Sequence, residues 1–252
     1  MKIAVCVKQI SDQSEKQALD PTSFRLQRSS KVVMDDSDAY GVEIALRLAE
    51  AASAEVVVLS MAASQEVQGV RTALAMGAGS AIVVSDDQLA GADALTTAKV
   101  LAAAASHAGC DLVIAATEST DGYTGTVPAQ IAAVLDWPAL TFAKQVELDG
   151  STVRVQRQTE EGYDLIEADL PAVVSVTAGV VEPRYPSFKG IMSAKSKPVE
   201  VLKLADLDLS VTIKERVVGV SDAESRAAGR IVEDDGSVEE EIVKFLTEIK
   251  VL

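Results

Sequence analysis

The chain has 252 residues and a mass of 26.4 kDa; it is 48% hydrophobic with mean hydropathy +0.20, and 23 Lys+Arg against 38 Asp+Glu give a net charge of −15 and a pI near 4.5. A chain this apolar is not intrinsically disordered, and its length suits one large core or one domain with an arm. The acidic balance argues against general affinity for nucleic acid or an anionic membrane, because both need basic, counterion-releasing surface.

The first half alternates two kinds of segment. Residues 2–7 (KIAVCV), 56–60 (VVVLS), 81–85 (AIVVS) and 112–116 (LVIAA) are short apolar runs without polar alternation, as parallel strands covered on both faces require. Residues 40–52, 64–76 and 92–108 space their apolar side chains three and four apart, as helices packing one face on a sheet do, and Gly77 and Gly109 follow two of them as stops. The order βαβαβαβ predicts an α/β fold: a doubly wound, mostly parallel, Rossmann-like sheet with right-handed crossovers. After Trp137-Pro138 the pattern changes. Residues 146–148 and 152–158 flank Asp149-Gly150, a hairpin signal, and 163–168 and 172–178 are further strand-like runs. Residues 182–198 are irregular and basic, with Arg184, Lys189, Lys195 and Lys197 against Glu182 alone. From about 200 the tail is acidic and shows no core-forming periodicity until an amphipathic helix over 238–250, so it reads as an arm lying on another surface. The expected division is an α/β domain over 1–200, including the hairpin region and the basic loop, and a C-terminal arm over 201–252.

Cys6 and Cys110 lie in apolar stretches without metal or redox spacing and read as buried reduced thiols; His107, the one histidine, ends an alanine-rich helix and leaves little material for a metal site or a Ser-His-Asp triad. No metal is expected. Charge follows Met1 too early for a signal peptide, and no apolar run approaches a bilayer span, so a soluble cytoplasmic or matrix-like protein is expected. Asp164 and Glu167, in a strand-like run, read as solvated or salt-bridged side chains.

Ligands of open α/β sheets bind beyond the carboxyl ends of the strands, near the reversal of strand order. Of the segments leaving those ends, residues 117–128, TESTDGYTGTVP, are the most unusual: six hydroxyl side chains and two glycines precede a proline, and AQIAAVLDW reads as the next helix. Pro128 suits the first helical turn, where a missing N–H costs nothing. Thr124, Gly125, Thr126 and Val127 then offer free N–H groups and hydroxyls at a helix N-terminus, an anion site strengthened by the helix dipole, and Gly125 permits close approach of a phosphate. An ordinary polar loop with a capped helix is the other reading of these residues. A Rossmann dinucleotide fingerprint and a Walker A loop are both absent, and nothing supplies the lysine and metal of phosphoryl transfer; a nucleotide here is held rather than hydrolysed. In the segment 182–197, EPRYPSFKGIMSAKSK, prolines bracket an exposed-looking Arg184-Tyr185 while Phe188, Ile191 and Met192 sit among lysines. That pattern suits a transient docking surface with an apolar anchor and electrostatic steering, or apolar side chains folded back on the core.

These segments, with Val7-Lys8, YGVE at 40–43, VRTALAMGA at 70–78, DGYTGTV at 121–127, LDWP at 135–138, LPAVVSV at 170–176 and EPRYPSFKGIMSAK at 182–195, resemble the β subunit of electron transfer flavoprotein over nearly the whole chain to about residue 205. The resemblance implies a heterodimer whose α subunit holds most of the redox-active FAD, while the β subunit binds an AMP that takes no part in the chemistry and has no catalytic residues of its own. By position, Cys6, Asp35, Asp36, Ser37, Asp38, Met61, Ala116, Asp121, Gly122, Tyr123, Thr124, Gly125, Thr126 and Val127 match the AMP site. Arg184, Tyr185, Phe188, Ile191, Met192 and Lys195 match the loop that docks partner acyl-CoA dehydrogenases, Phe188 standing where a leucine is usual. The tail matches a region that wraps onto the α subunit. Two departures stand out: Asp35-Asp36-Ser37-Asp38 replaces a frequent Asn-Pro-Phe-Asp, and Gln13 stands where some members place a tyrosine near the flavin. Two alternatives accompany this reading: a bifurcating form with a second FAD in place of AMP, and a stand-alone ATP-binding or hydrolysing module.

Overall fold

The computed structural model describes residues 1–28, 31–63, 67–221, 229, 231–234 and 236–252, which fall into two compact units, Met1–Val218 and Gly219–Leu252. The first unit runs β1 (Lys2–Cys6), β2 (Gln9–Ser11), β3 (Ala18–Leu19), β4 (Leu26–Gln27), β5 (Val32–Met34), α1 (Asp36–Ala52), β6 (Glu55–Met61), α2 (Gln68–Met76), β7 (Ser80–Val84), α3 (Ala94–Ala108), β8 (Leu112–Ala116), α4 (Val127–Leu135), β9 (Ala139–Asp149), β10 (Thr152–Gln158), β11 (Tyr163–Asp169), β12 (Ala172–Val176), α5 (Phe188–Ala194) and β13 (Val199–Leu202). The second unit holds α6 (Val238–Glu248), none of whose residues is buried.

Nine strands form one sheet in the order β11-β10-β9-β12-β8-β1-β6-β7-β13. From β9 to β13 neighbouring strands are parallel; β10 and β11 add an antiparallel extension at one edge. Every residue of β8 and β12 is buried, which explains why the sequence shows unbroken apolar runs there: both faces are covered. Alternate residues of one strand enter opposite cores. Ile3, Val5 and Val58 pack with α1 and α2, and Ala4, Val57 and Leu59 with α3 and α4. From β1 the chain steps outward through β6 and β7, and α3 then carries it back across the sheet to β8, on the other side of β1. The direction of winding therefore reverses between β1 and β8, the place beyond whose carboxyl ends open α/β sheets ordinarily take a ligand.

The predicted doubly wound α/β sheet is present, with differences that have physical causes. Helix α1 begins at Asp36 rather than 40, because Asp35 accepts a hydrogen bond from Ser37 N at 3.0 Å and caps it. Helix α3 begins after Asp93, whose Oδ1 accepts from Thr96 N at 2.7 Å. The helix expected over 64–76 is seen from Gln68; residues 64–66 lie outside the described residues. The short β2–β5 ribbon escaped notice because Gln9 and Ser11 are polar, although both are buried. Residues 199–202 form edge strand β13 beside β7, so 201 and 202, where the arm was expected to begin, lie in the sheet, and Leu202 and Leu204 are buried. Among the described residues no helix is long and apolar enough to cross a membrane.

Candidate functional site

Strands β8, β1 and β6 are adjacent, so Ala116, Cys6 and Met61 end on one edge, and Cys6 and Met61 share the face packed by α3 and α4. Both cysteines are free thiols. Burial, with the Asp38 carboxyl nearby, pushes the Cys6 thiol well above its ordinary range, and burial raises Cys110 to about 11. Neither is a thiolate at neutral pH.

The loop 117–126 leaves β8 and is pinned along its length. Thr117 donates from N and Oγ1 to Val176 O, at 3.0 and 3.1 Å. Asp35 Oδ2 accepts from Thr120 N at 2.7 Å and Thr120 Oγ1 at 3.0 Å, and Gln13 Nε2 reaches the same hydroxyl at 3.0 Å. Lys8 Nζ donates to Ser119 Oγ at 3.1 Å and to Asp121 Oδ1 at 2.5 Å; Arg28 Nη2 lies 3.5 Å from Asp121 Oδ2. Gly122 and Tyr123 donate their N–H groups to Ser119 O at 3.3 and 2.9 Å. The chain then turns through two left-handed residues, Tyr123 at φ +49° and Gly125 at φ +63°, a conformation in which glycine costs little and a tyrosine is held only by its surroundings. Thr126 begins α4 without a side-chain cap, and Pro128 occupies the first turn.

This geometry leaves main-chain donors for an anion. Among the described residues, no acceptor meets the N–H groups of Thr124, Gly125, Thr126 or Val127, and α4 adds its dipole. One turn further on, Gln130 Oε1 is buried with no hydrogen-bond partner, as is Ser60 Oγ beside Met61; buried polar atoms of this kind ordinarily have a partner. The amides of Thr124 to Val127 thus fit a phosphoryl group, whereas Gln130 Oε1, an acceptor, suits only a donor such as a hydroxyl.

Five carboxylates stand at this edge: Glu118 is exposed, its Oε2 3.4 Å from where a Cβ on Gly125 would lie, and the structure sorts the other four. Asp35 is fully buried and occupied as a cap and as the anchor of Thr120. Asp38 is buried, with Oδ2 accepting from Lys8 N at 2.6 Å. Burial outweighs that bond and raises its pKa well above the aspartate range, the Asp35 and Asp121 charges adding to the effect. Asp121 is paired with Lys8 and Arg28. Asp36 is exposed, and it lines a groove of about 550 Å³ with Tyr40, Pro183 and Tyr185. Ser37 lies with its amide on Asp35. Asp35 and Asp38 therefore position the backbone around the crevice and do not hang free in it.

The second expected region is equally distinct. Phe188, Ile191 and Met192 are 81%, 49% and 53% exposed and Tyr185 is 91% exposed, so the apolar side chains do not fold back on the core. Lys189 and Lys195 are exposed beside them. Arg184, expected to be exposed, is turned inward: Nε donates to Glu43 Oε2 at 2.7 Å and Nη1 to Glu50 Oε1 at 2.6 Å. Burial alone would raise the Glu43 pKa, but hydrogen bonds from Arg184 and Arg47 outweigh it and the carboxyl titrates below its ordinary range. Elsewhere, Glu167 pairs with Arg154 at 3.0 Å, Asp164 is exposed, and His107 lies 3.8 Å from Glu200.

Sequence reasoning missed Lys8, Thr120, Gln130, Arg28 and Glu43. Lys8 carried a signal: it is a cation directly after an apolar strand, in a chain whose most unusual loop holds Glu118 and Asp121. Glu43 had none, since a glutamate on an amphipathic helix ordinarily faces water.

The fold and these two regions define a class: a doubly wound α/β domain with unpartnered main-chain N–H groups at the start of a helix near its switch point and an exposed apolar ridge. The electron transfer flavoprotein domain model matches residues 24–207, and the chain belongs to the electron transfer flavoprotein family, with the β subunits. It is 38% identical to the electron transfer flavoprotein subunit beta of Mycobacterium bovis over 267 aligned positions, covering 99% of each chain, and 36% identical to the mitochondrial subunit beta of Oryza sativa subsp. indica over the full length of both. It is 34% identical to the caffeyl-CoA reductase-Etf complex subunit CarD of Acetobacterium woodii, over 83% of this chain and 81% of that one. Members of this family serve as electron carriers.

Proposed function

We propose that this chain is the β half of a heterodimeric electron carrier, holding AMP at its carboxyl edge while an α subunit supplies most of the FAD site. The observation that supports this reading is the run of uncommitted N–H groups from Thr124 to Val127 at the start of α4, with Gly125, at φ +63°, placing no side chain of its own among them. These residues hold the phosphate; Cys6, Met61 and Ala116 form the strand-end floor; Asp35 and Asp38 keep loop and strand in place around it. FAD, when bound, supplies the electron-accepting and electron-donating ring. This chain supplies a rigid platform, and its exposed Phe188, Ile191 and Met192 tether an acyl-CoA or other dehydrogenase, whose electrons pass on toward the respiratory chain. Transient redox complexes bury little area, so a small apolar anchor among lysines suffices. We place this activity in the cytoplasm of a bacterium, in fatty-acid β-oxidation.

Similarity to a caffeyl-CoA reductase-Etf subunit favours a second reading, in which the same crevice takes a second FAD. Co-expression with the α subunit and quantification of released small molecules separates the two. One FAD and one AMP per heterodimer is the expected result; two FAD without AMP establishes the bifurcating form. A chain that stays monomeric and turns over ATP sinks both.

A further inference from the structure

Helix α5 has seven residues and buries only Ala194; a helix this short does not hold its shape alone. Its support comes from α2 through a reciprocal arrangement. Lys197 Nζ donates to Leu74 O at 2.8 Å and Ala78 O at 2.7 Å, closing the C-terminal end of α2. In return Arg71 Nη1, from α2, donates to Ala194 O at 2.6 Å and Lys197 O at 2.9 Å, closing the end of α5. Each segment thus lends the other a cation for the carbonyls that a helix terminus leaves bare. Between these bonds the helices touch backbone to backbone: a Cβ at Gly190 would overlap Ala75 O, far inside van der Waals contact. Upstream, Ser187 Oγ caps α5 by accepting from Gly190 N at 3.0 Å, and Arg184 is moored to Glu43 and Glu50 on α1. Gly190 and Ala194 face α2, so Phe188, Ile191 and Met192 stand outward.

We infer that Arg71, Gly190 and Lys197 are positioning residues that fix the pose of α5 and thereby set the affinity for the electron-donating partner. The inference rests on the docking role proposed for α5. A pre-set anchor loses no freedom on binding, whereas a helix that rocks on its base must be ordered each time, at a cost in affinity and not in electron transfer once docked. The sequence motifs VRTALAMGA and KGIMSAKSK are on this reading two halves of one mount.

The test uses the heterodimer with an acyl-CoA dehydrogenase reduced by its acyl-CoA as electron donor. Gly190→Ala places a methyl against Ala75 O, and Lys197→Met removes two hydrogen bonds, to Leu74 O and Ala78 O, without adding bulk; a cooperative melting transition shows that each variant is folded. Two quantities are read: hydrogen–deuterium exchange over residues 188–194, and KM for the heterodimer against kcat. The expected result is loss of protection in α5 with KM raised about tenfold and kcat within about twofold, at unchanged flavin content. Unchanged protection in both variants overturns the inference. So does lost protection with unchanged KM while Phe188→Ala raises KM, an outcome that leaves the docking role standing. If Phe188→Ala also leaves KM unchanged, the docking role itself fails and the inference with it.

Discussion

The carboxyl-edge crevice and the α5 ridge use one device to opposite ends. In both, ionisable side chains turn inward and hold main chain: Asp35 on Thr120 N and Asp38 on Lys8 N in the crevice, Arg71 on Ala194 O and Lys197 on Leu74 O at the ridge. In the loop ahead of α4 the product is a backbone whose N–H groups at Thr124 to Val127 meet no acceptor among the described residues, suited to an anion. At the ridge the product is a backbone with its apolar side chains facing outward, suited to a hydrophobic pocket on another protein. Polar residues that mark a binding region in sequence are therefore not necessarily the ones that touch the ligand.

Four variants break or sharpen that comparison. The largest effect is expected at Gly125, where the left-handed φ of +63° is strained for any β-branched residue and Glu118 Oε2 already stands 3.4 Å from a Cβ. Gly125→Val should cut nucleotide affinity about 100-fold, read as nucleotide released from the purified heterodimer; full retention shows that the phosphate lies elsewhere. Asp35→Ala strips a helix cap and two loop bonds at once, and should cost about 2 kcal/mol, roughly 4–8 °C in melting temperature for a chain of this size. Retention of the wild-type melting temperature removes Asp35 from its role as anchor. Phe188→Ala should lower kcat/KM with an acyl-CoA dehydrogenase about tenfold without changing flavin content, an effect confined to the ridge.

The smallest effect tests the electrostatics of the crevice. Burial raises the Asp38 pKa, so the folded chain keeps its proton to a higher pH than the unfolded chain does. Between the ordinary aspartate pKa and the raised folded value, the native state binds more protons, and stability from this group, complete at low pH, drains away as pH rises. An asparagine in its place cannot titrate, and its amide oxygen can still accept from Lys8 N. Asp38→Asn should therefore be more stable than wild type by about 1 kcal/mol at pH 7, the gap closing as pH falls toward about 4. A gap independent of pH, in a melting series, contradicts the raised Asp38 pKa.

Much of the first unit was legible because its physics is local. Runs such as LVIAA at 112–116 can be satisfied only by burial on both faces, and Pro128 after TGTV marks a helix start wherever it occurs. Long-range partners were not legible. Whether Phe188 folds inward or stands outward depends on Gly190 meeting Ala75 O, a contact between residues 115 positions apart. Strand β13 was hidden because VEVL is too short and too polar to announce itself, and becomes a strand only where β7 presents a free edge.

By itself, then, the amino-acid order determined the alternation of strand and helix, the parallel sheet, the start of α4 behind a glycine- and hydroxyl-rich loop, and the family. Tertiary structure alone decided which acids face the crevice and which are consumed in building it. The physical reason is that a carboxylate is free or committed according to the donors brought to it, and those of Asp35 and Asp38 come from Thr120 and Lys8, 85 and 30 residues away.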